Sequence, residues 1–170
     1  MDIFCEYMVK KKKDAKEIAQ TVAVILAAVL ITFLLLLFLG QFSFLFICGV
    51  WYGAWWLISR TDIEFEYIVT STILDIDKIM AKRSRKRILS IDLKEILSCA
   101  SAVGTSPENI KIINAAPMGI EDGVYAVDFD KNGTKTRLLF KPSKKMLLEI
   151  KKASPSLVTL RPEDVEGQTV

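Results

Sequence analysis

No charged residue occurs between Thr21 and Ser59. A helix needs about 20 apolar residues to cross a hydrocarbon layer about 30 Å thick, so this run is too long for one ordinary span. Gly40 and Gln41 divide it. The first part, Ile18 to Leu39, contains the block Phe33-Leu34-Leu35-Leu36-Leu37-Phe38. The second, Phe42 to Ile58, contains Phe44, Leu45, Phe46, Ile47 and Trp51. Lipid offers no partner for loose backbone groups, so both parts are expected to be helical. A transmembrane hairpin over 18–59 with a very short turn follows.

The flanks set the orientation. Lys10, Lys11, Lys12, Lys13 and Lys16 precede the first helix, Arg60 follows the second, and the connecting turn carries no charge. The positive-inside rule then puts both ends in the cytoplasm of a two-pass cell-membrane protein. Trp55 and Trp56 fit an interfacial aromatic belt. A cleaved signal peptide fits poorly: the apolar core is too long, and a second apolar segment follows directly. Ahead of the helices, within a basic segment 1–17, Ile3, Phe4, Tyr7 and Met8 recur at helical spacing. An interfacial helix and a frayed end are both open readings of it.

Small residues mark helix contacts. Gly49 and Gly53 form a GxxxG, and Ala23 and Ala27 belong to a small-residue stripe on the first helix. Close packing within the hairpin is the expected role. The alternative is a dimerisation face, and with it a homo-oligomer.

Beyond Arg60 the pattern changes. Residues 61–170 hold 17 basic and 16 acidic side chains, a balance that does not suit a general nucleic-acid binder. Ile63, Phe65, Tyr67 and Val69 alternate with Asp62, Glu64 and Glu66, which is a strand with one buried face. Further strands are expected at Ile73–Ile79, Ile88–Ile91 and Ile110–Ile113, with a turn or short helix at Leu93–Leu97. Val124–Phe129 and Thr134–Phe140 flank Asn132-Gly133, a hairpin signal. Met146, Leu147, Ile150 and Ala153 mark one face of a helix that Pro155 ends. The domain should therefore span 60–155, as six or seven strands capped by one helix, with a flexible tail over 156–170.

This order resembles the pleckstrin-homology-like superfold. More narrowly, it looks like the bacterial PH-like domains that follow a pair of transmembrane helices, in an uncharacterised two-helix family. The residues that carry the likeness are Tyr67-Ile68-Val69-Thr70, then Ile73-Leu74-Asp75-Ile76, the basic stretch Lys82 to Arg87, and the apolar strand from Ile88. The usual glycine of the basic loop is missing. The resemblance implies an α+β membrane protein: a two-helix transmembrane hairpin, then a mainly-β PH-like sandwich or barrel with a C-terminal capping helix.

Lys82, Arg83, Arg85, Lys86 and Arg87 are the candidate contact for anionic lipid or an acidic partner, since each cation near an anionic leaflet contributes about 1 kcal/mol. A solvated hairpin is the plainer alternative. No aromatics interleave these residues, so nucleic acid is not expected. Asp128-Phe-Asp130-Lys-Asn132-Gly133 opens like a calcium loop, but the twelfth position is Leu139 rather than Glu, and a hairpin turn explains it. Asp75 and Asp77 share one strand face without a third ligand. The chain has no histidine, and Cys5, Cys48 and Cys99 have no metal-ligand spacing. No catalytic site, metal or cofactor is expected. The reading is a membrane-anchored, non-enzymatic adaptor that contacts a protein partner in the same membrane or the anionic surface. The alternative is an accessory subunit of a larger membrane complex.

Overall fold

The computed structural model describes residues 4–103, 110–117, 123–131 and 133–165. Its first element is a strand, β1 (Phe4–Lys10), not an interfacial helix or a frayed end. Cys5 and Val9 turn inward at the two-residue period of a strand. β1 pairs antiparallel with β2 (Ile63–Thr70) along its whole length, Phe4 opposite Thr70 and Lys10 opposite Glu64. The pairing gives the short N-terminal segment backbone partners along the edge that faces β2. The entire apolar segment is thus the loop of a β-hairpin.

That loop is itself helical. α1 (Ala15–Leu39) starts behind Asp14, whose backbone N–H donates to the Glu17 carboxylate at 3.1 Å. The chain breaks at Gly40, where φ is 55° and ψ −129°, a conformation that glycine adopts without steric cost. One 3-10 turn (Gly40–Ser43) leads into α2 (Phe44–Ser59), which packs back against α1. The seam is Thr21, Val24, Ala28 and Thr32 on α1 against Ser43 of the 3-10 turn and Ile47, Val50, Ala54 and Ile58 on α2, spaced by three or four residues. Most other side chains of the pair face outward: Phe38, Phe44 and Leu45 are at least three-quarters exposed. The stretch Ala15–Ser59 is long and apolar enough to cross a membrane, with a mean hydropathy of 3.2 in its most apolar window.

The rest folds as two sheets. β1, β2, β3 (Ile73–Met80) and β4 (Ser84–Asp92) make the first, in chain order. β5 (Ile96–Ser101), β6 (Lys111–Asn114), β7 (Tyr125–Lys131) and β8 (Thr134–Phe140) make the second, in the order β5-β7-β8-β6, with β6 parallel to β8. The strand at Ile96 replaces the turn or short helix expected there. Its register with β7 is what the local pattern around Leu93 does not show.

The core lies between the sheets. Phe65, Tyr67, Val69, Leu74 and Ile76 face Val127, Phe129, Leu138 and Phe140, each almost wholly buried. Each such side chain contributes on the order of 1.5–3 kcal/mol. The Tyr67 ring meets the edge of Phe140 at 5.6 Å, and its hydroxyl donates to Ala115 O at 2.6 Å. Burial raises the Tyr67 pKa, keeping that donor protonated. α3 (Lys144–Ala153) closes the sandwich with Met146, Leu147 and Ile150, and Ser143 caps it by accepting from the Met146 N–H.

Residues 156–165 are docked rather than loose. The Cys99 N–H donates to Leu157 O and the Thr159 N–H to Cys99 O, both at 2.8 Å, which covers the open edge of β5. A helical turn, α4 (Pro162–Val165), follows. Asp164 accepts from the Tyr125 hydroxyl at 2.6 Å and from Arg161 Nε at 3.0 Å. Burial alone would raise the Asp164 pKa. The two hydrogen bonds outweigh it and hold the carboxyl below its ordinary value. The β7–β8 turn matches its sequence signal: Gly133 has φ 77° and donates to Asp130 Oδ1 at 2.7 Å. Asn132 of this turn lies outside the described residues.

Candidate functional site

The five clustered cations separate into two groups, and the register between β3 and β4 decides which is which. Arg87 stands opposite Asp77, and Arg85 opposite Ile79, one diagonal step from Asp77. Arg85 Nε donates to Asp77 Oδ2 at 2.7 Å, and its Nη2 donates to Glu66 on β2. Arg87 reaches Asp77 at 3.3 Å and Asp75 at 3.2 Å. Glu66 and Asp77 are each 4% exposed. Burial, and then a hydrogen bond with Glu6 across the β1–β2 pair, raise the Glu66 pKa, while Arg85 opposes the rise. Asp75 and Asp77 share a face as expected, and they serve there as counter-charges for the arginines.

The second group sits at the end of the sheet next to the helices. β3 and β4 are joined through Ala81, Lys82 and Arg83, and the Arg83 N–H closes the turn onto Met80 O at 3.1 Å. Ala81 and Lys82 have φ of 52° and 54°. Two successive left-handed residues, neither of them glycine, cost about 1 kcal/mol or more each. The turn brings Arg83 over the ring of Trp55, 4.8 Å from its centre. Arg60, the residue that ends α2, lies 3.7 Å from the centre of the Trp56 ring. Lys82 and Lys86 are exposed.

Between the end of α2 and the β3–β4 turn is a recess of about 420 Å³, lined by Trp56, Ser59, Arg60, Met80, Ala81, Arg83 and Ser84. The chain has six arginines. Arg85, Arg87, Arg137 and Arg161 each hold a carboxylate. Arg60 and Arg83 have no carboxylate partner among the described residues. Sequence reasoning found Arg83 in the basic run but used Arg60 only for orientation. The adjacent Trp55-Trp56 pair was the available signal that the two belong to one site.

The small residues of the helices are placed differently from the expectation. Ala28 and Ala54 are the buried contacts between α1 and α2, and Ala23 is exposed. Gly49 and Gly53 line an open apolar groove with Val24, Ala27 and Ile31, where an added Cβ would meet nothing within 4 Å. Of the calcium-like residues, Asp128 is held by Arg137 at 2.6 and 2.7 Å, and Asp130 by the turn.

Two four-stranded sheets enclosing one core and closed by a C-terminal helix define an α+β domain of the PH-like class. The chain belongs to the family described as Bacterial PH-like domain (DUF6106), which matches residues 1–160 and so takes in β1, the helical hairpin and the sandwich together. No curated protein and no solved structure matches the chain.

Proposed function

We propose that this protein is a two-pass membrane protein whose PH-like domain serves as a non-enzymatic binding module at the cytoplasmic surface. The observation that carries the reading is the β1–β2 pairing. Lys10 lies opposite Glu64, and the Lys11 N–H donates to Ile63 O at 2.9 Å, so the entry and exit of the helical segment are adjacent. A single crossing would leave β1 and β2 on opposite sides of the bilayer and break every bond between them. A hairpin leaves both on one side. The lysines before α1 and Arg60 after α2 favour the cytoplasmic side.

A binding role is supported by how the charged groups are used. The buried carboxylates Glu66 and Asp77 of the first sheet are held by Arg85, and the half-buried Asp128 of the second by Arg137, which suits a rigid scaffold. The test is labelling by a membrane-impermeant maleimide in a cysteine-free background. Gln41→Cys, in the turn between the helices, should react in intact cells. Lys86→Cys should react only after permeabilisation. Labelling of Lys86→Cys in intact cells would refute the orientation, and protection of Gln41→Cys in both conditions would refute the second crossing.

The open groove at Gly49 and Gly53 favours a second reading, an accessory subunit that receives a partner's helix there. Gly49→Leu and Gly53→Leu should then abolish co-purification of that partner while the domain stays folded.

A further inference from the structure

We infer that the recess between α2 and the β3–β4 turn is a binding site for the phosphate of an anionic phospholipid headgroup, gripped by Arg60 and Arg83. The inference rests on the membrane-anchored reading above and adds a ligand class and a site to it.

Three features of the recess converge on that ligand. The first is charge. Arg60 and Arg83 are the two arginines without a carboxylate among the described residues, and they come together from segments more than twenty residues apart in sequence. A guanidinium held over an indole face by cation–π attraction spends none of its N–H donors on a carboxylate, and those donors can pair with phosphate oxygens in a two-pronged fashion. The second is the neighbouring chemistry. Ser84 adds a hydroxyl to the lining, the Ser59 hydroxyl being already donated to Trp56 O at 2.9 Å, and Lys82 stands exposed at the tip of the turn. The third is depth. Trp55 and Trp56 lie in the last turns of the apolar α2, where aromatic side chains sit at headgroup level. A phosphate held there would have its acyl chains alongside the exposed apolar faces of α1 and α2. A free phosphate would gain nothing from that placement.

The two arginines are also mechanically joined. Arg60 is fixed by the end of α2, and Asp62, two residues on, accepts from the Ala81 N–H at 2.8 Å. The turn carrying Arg83 is therefore tied to the segment carrying Arg60. The backbone positions of the two arginines are thus fixed relative to each other before any lipid arrives, which lowers the ordering cost of binding.

The test is native mass spectrometry of the full chain released from micelles containing equal amounts of phosphatidylglycerol and phosphatidylcholine. Wild type should retain one phosphatidylglycerol in preference to phosphatidylcholine. Arg60→Gln with Arg83→Gln should weaken that preference roughly thirtyfold, the effect of about two interfacial cations. Lys145→Gln, an exposed lysine of α3 outside both the recess and the basic run, should leave it unchanged. Millimolar inorganic phosphate should not displace the lipid. Equal retention of the two lipids by wild type would overturn the inference. So would an unchanged preference in the double variant, or displacement by free phosphate. Each of these results leaves the topology reading standing, because maleimide labelling tests that independently.

Discussion

Replacing Arg85 by glutamine removes the charge that two buried carboxylates share. Glu66 and Asp77 have side chains only 6% exposed, and Arg85 donates to both. Removing one partner from a fully buried ion pair costs about 3–5 kcal/mol. Here the arginine is itself 52% exposed, and Arg87 still reaches Asp77, so solvent and the second arginine reduce the loss to about 2 kcal/mol. Arg83→Gln, two residues away and the same change of charge, gives up only an exposed cation–π contact worth about 0.5–1 kcal/mol. Urea unfolding of the full chain in lipid nanodiscs, followed by the strand signal in circular dichroism, reads both values. Adding Glu66→Gln to Arg85→Gln should recover more than half of the loss, because a neutral amide needs no counter-charge. The pH dependence follows from the raised Glu66 pKa. Without Arg85 that pKa rises further, so the variant's deficit is largest above it and shrinks as falling pH protonates the carboxyl. Equal losses for the two arginine variants, or no recovery with Glu66→Gln, would refute the separation of the sheet-bound arginines from Arg83 of the turn.

Other perturbations probe the rest of the fold. Tyr67→Phe should cost about 1–3 kcal/mol in the same unfolding experiment, because the wholly buried Ala115 carbonyl loses its donor. Ala81→Gly should stabilise the domain by about 1 kcal/mol by relieving a left-handed alanine, seen as a higher urea midpoint. The docked tail should be acid-sensitive. The Asp164 pKa is lowered from 3.8, so its stabilisation is complete above that value and is lost as pH falls through the lower folded one. Hydrogen exchange at the Thr159 amide should show this loss of protection at acid pH, and Asp164→Asn should show weak protection already at neutral pH.

Several elements were legible because their signals are local. The period-two alternation at Ile63–Val69, the Asn-Gly turn and the apolar face of Met146, Leu147 and Ile150 each sit within a few residues of the partners they need. The break at Gly40 was legible for the same reason. β1 was not. Its seven residues show apolar spacing compatible with a helix, and their pairing partner begins more than fifty residues later, beyond two helices. The docking of Leu157–Thr159 on Cys99 was hidden for the same reason.

The candidate site divides along the same line. The order of residues alone put five cations between Lys82 and Arg87 and two tryptophans at the end of the second helix. Charge and hydropathy are properties of residues, and they survive without a fold. Which cation is spent on a carboxylate and which is left for a ligand depends on cross-strand register, and a one-residue slip would exchange the faces. Register is fixed by the turn at Ala81-Lys82 and by packing against the second sheet. The sequence by itself therefore determined that the chain has an apolar helical segment, a β-rich domain and a basic turn. Only the tertiary structure decided that the first strand closes on the second, that Arg85 and Arg87 belong to the sheet, and that Arg60 and Arg83 meet at one recess, because each of these rests on contacts between residues far apart in the chain.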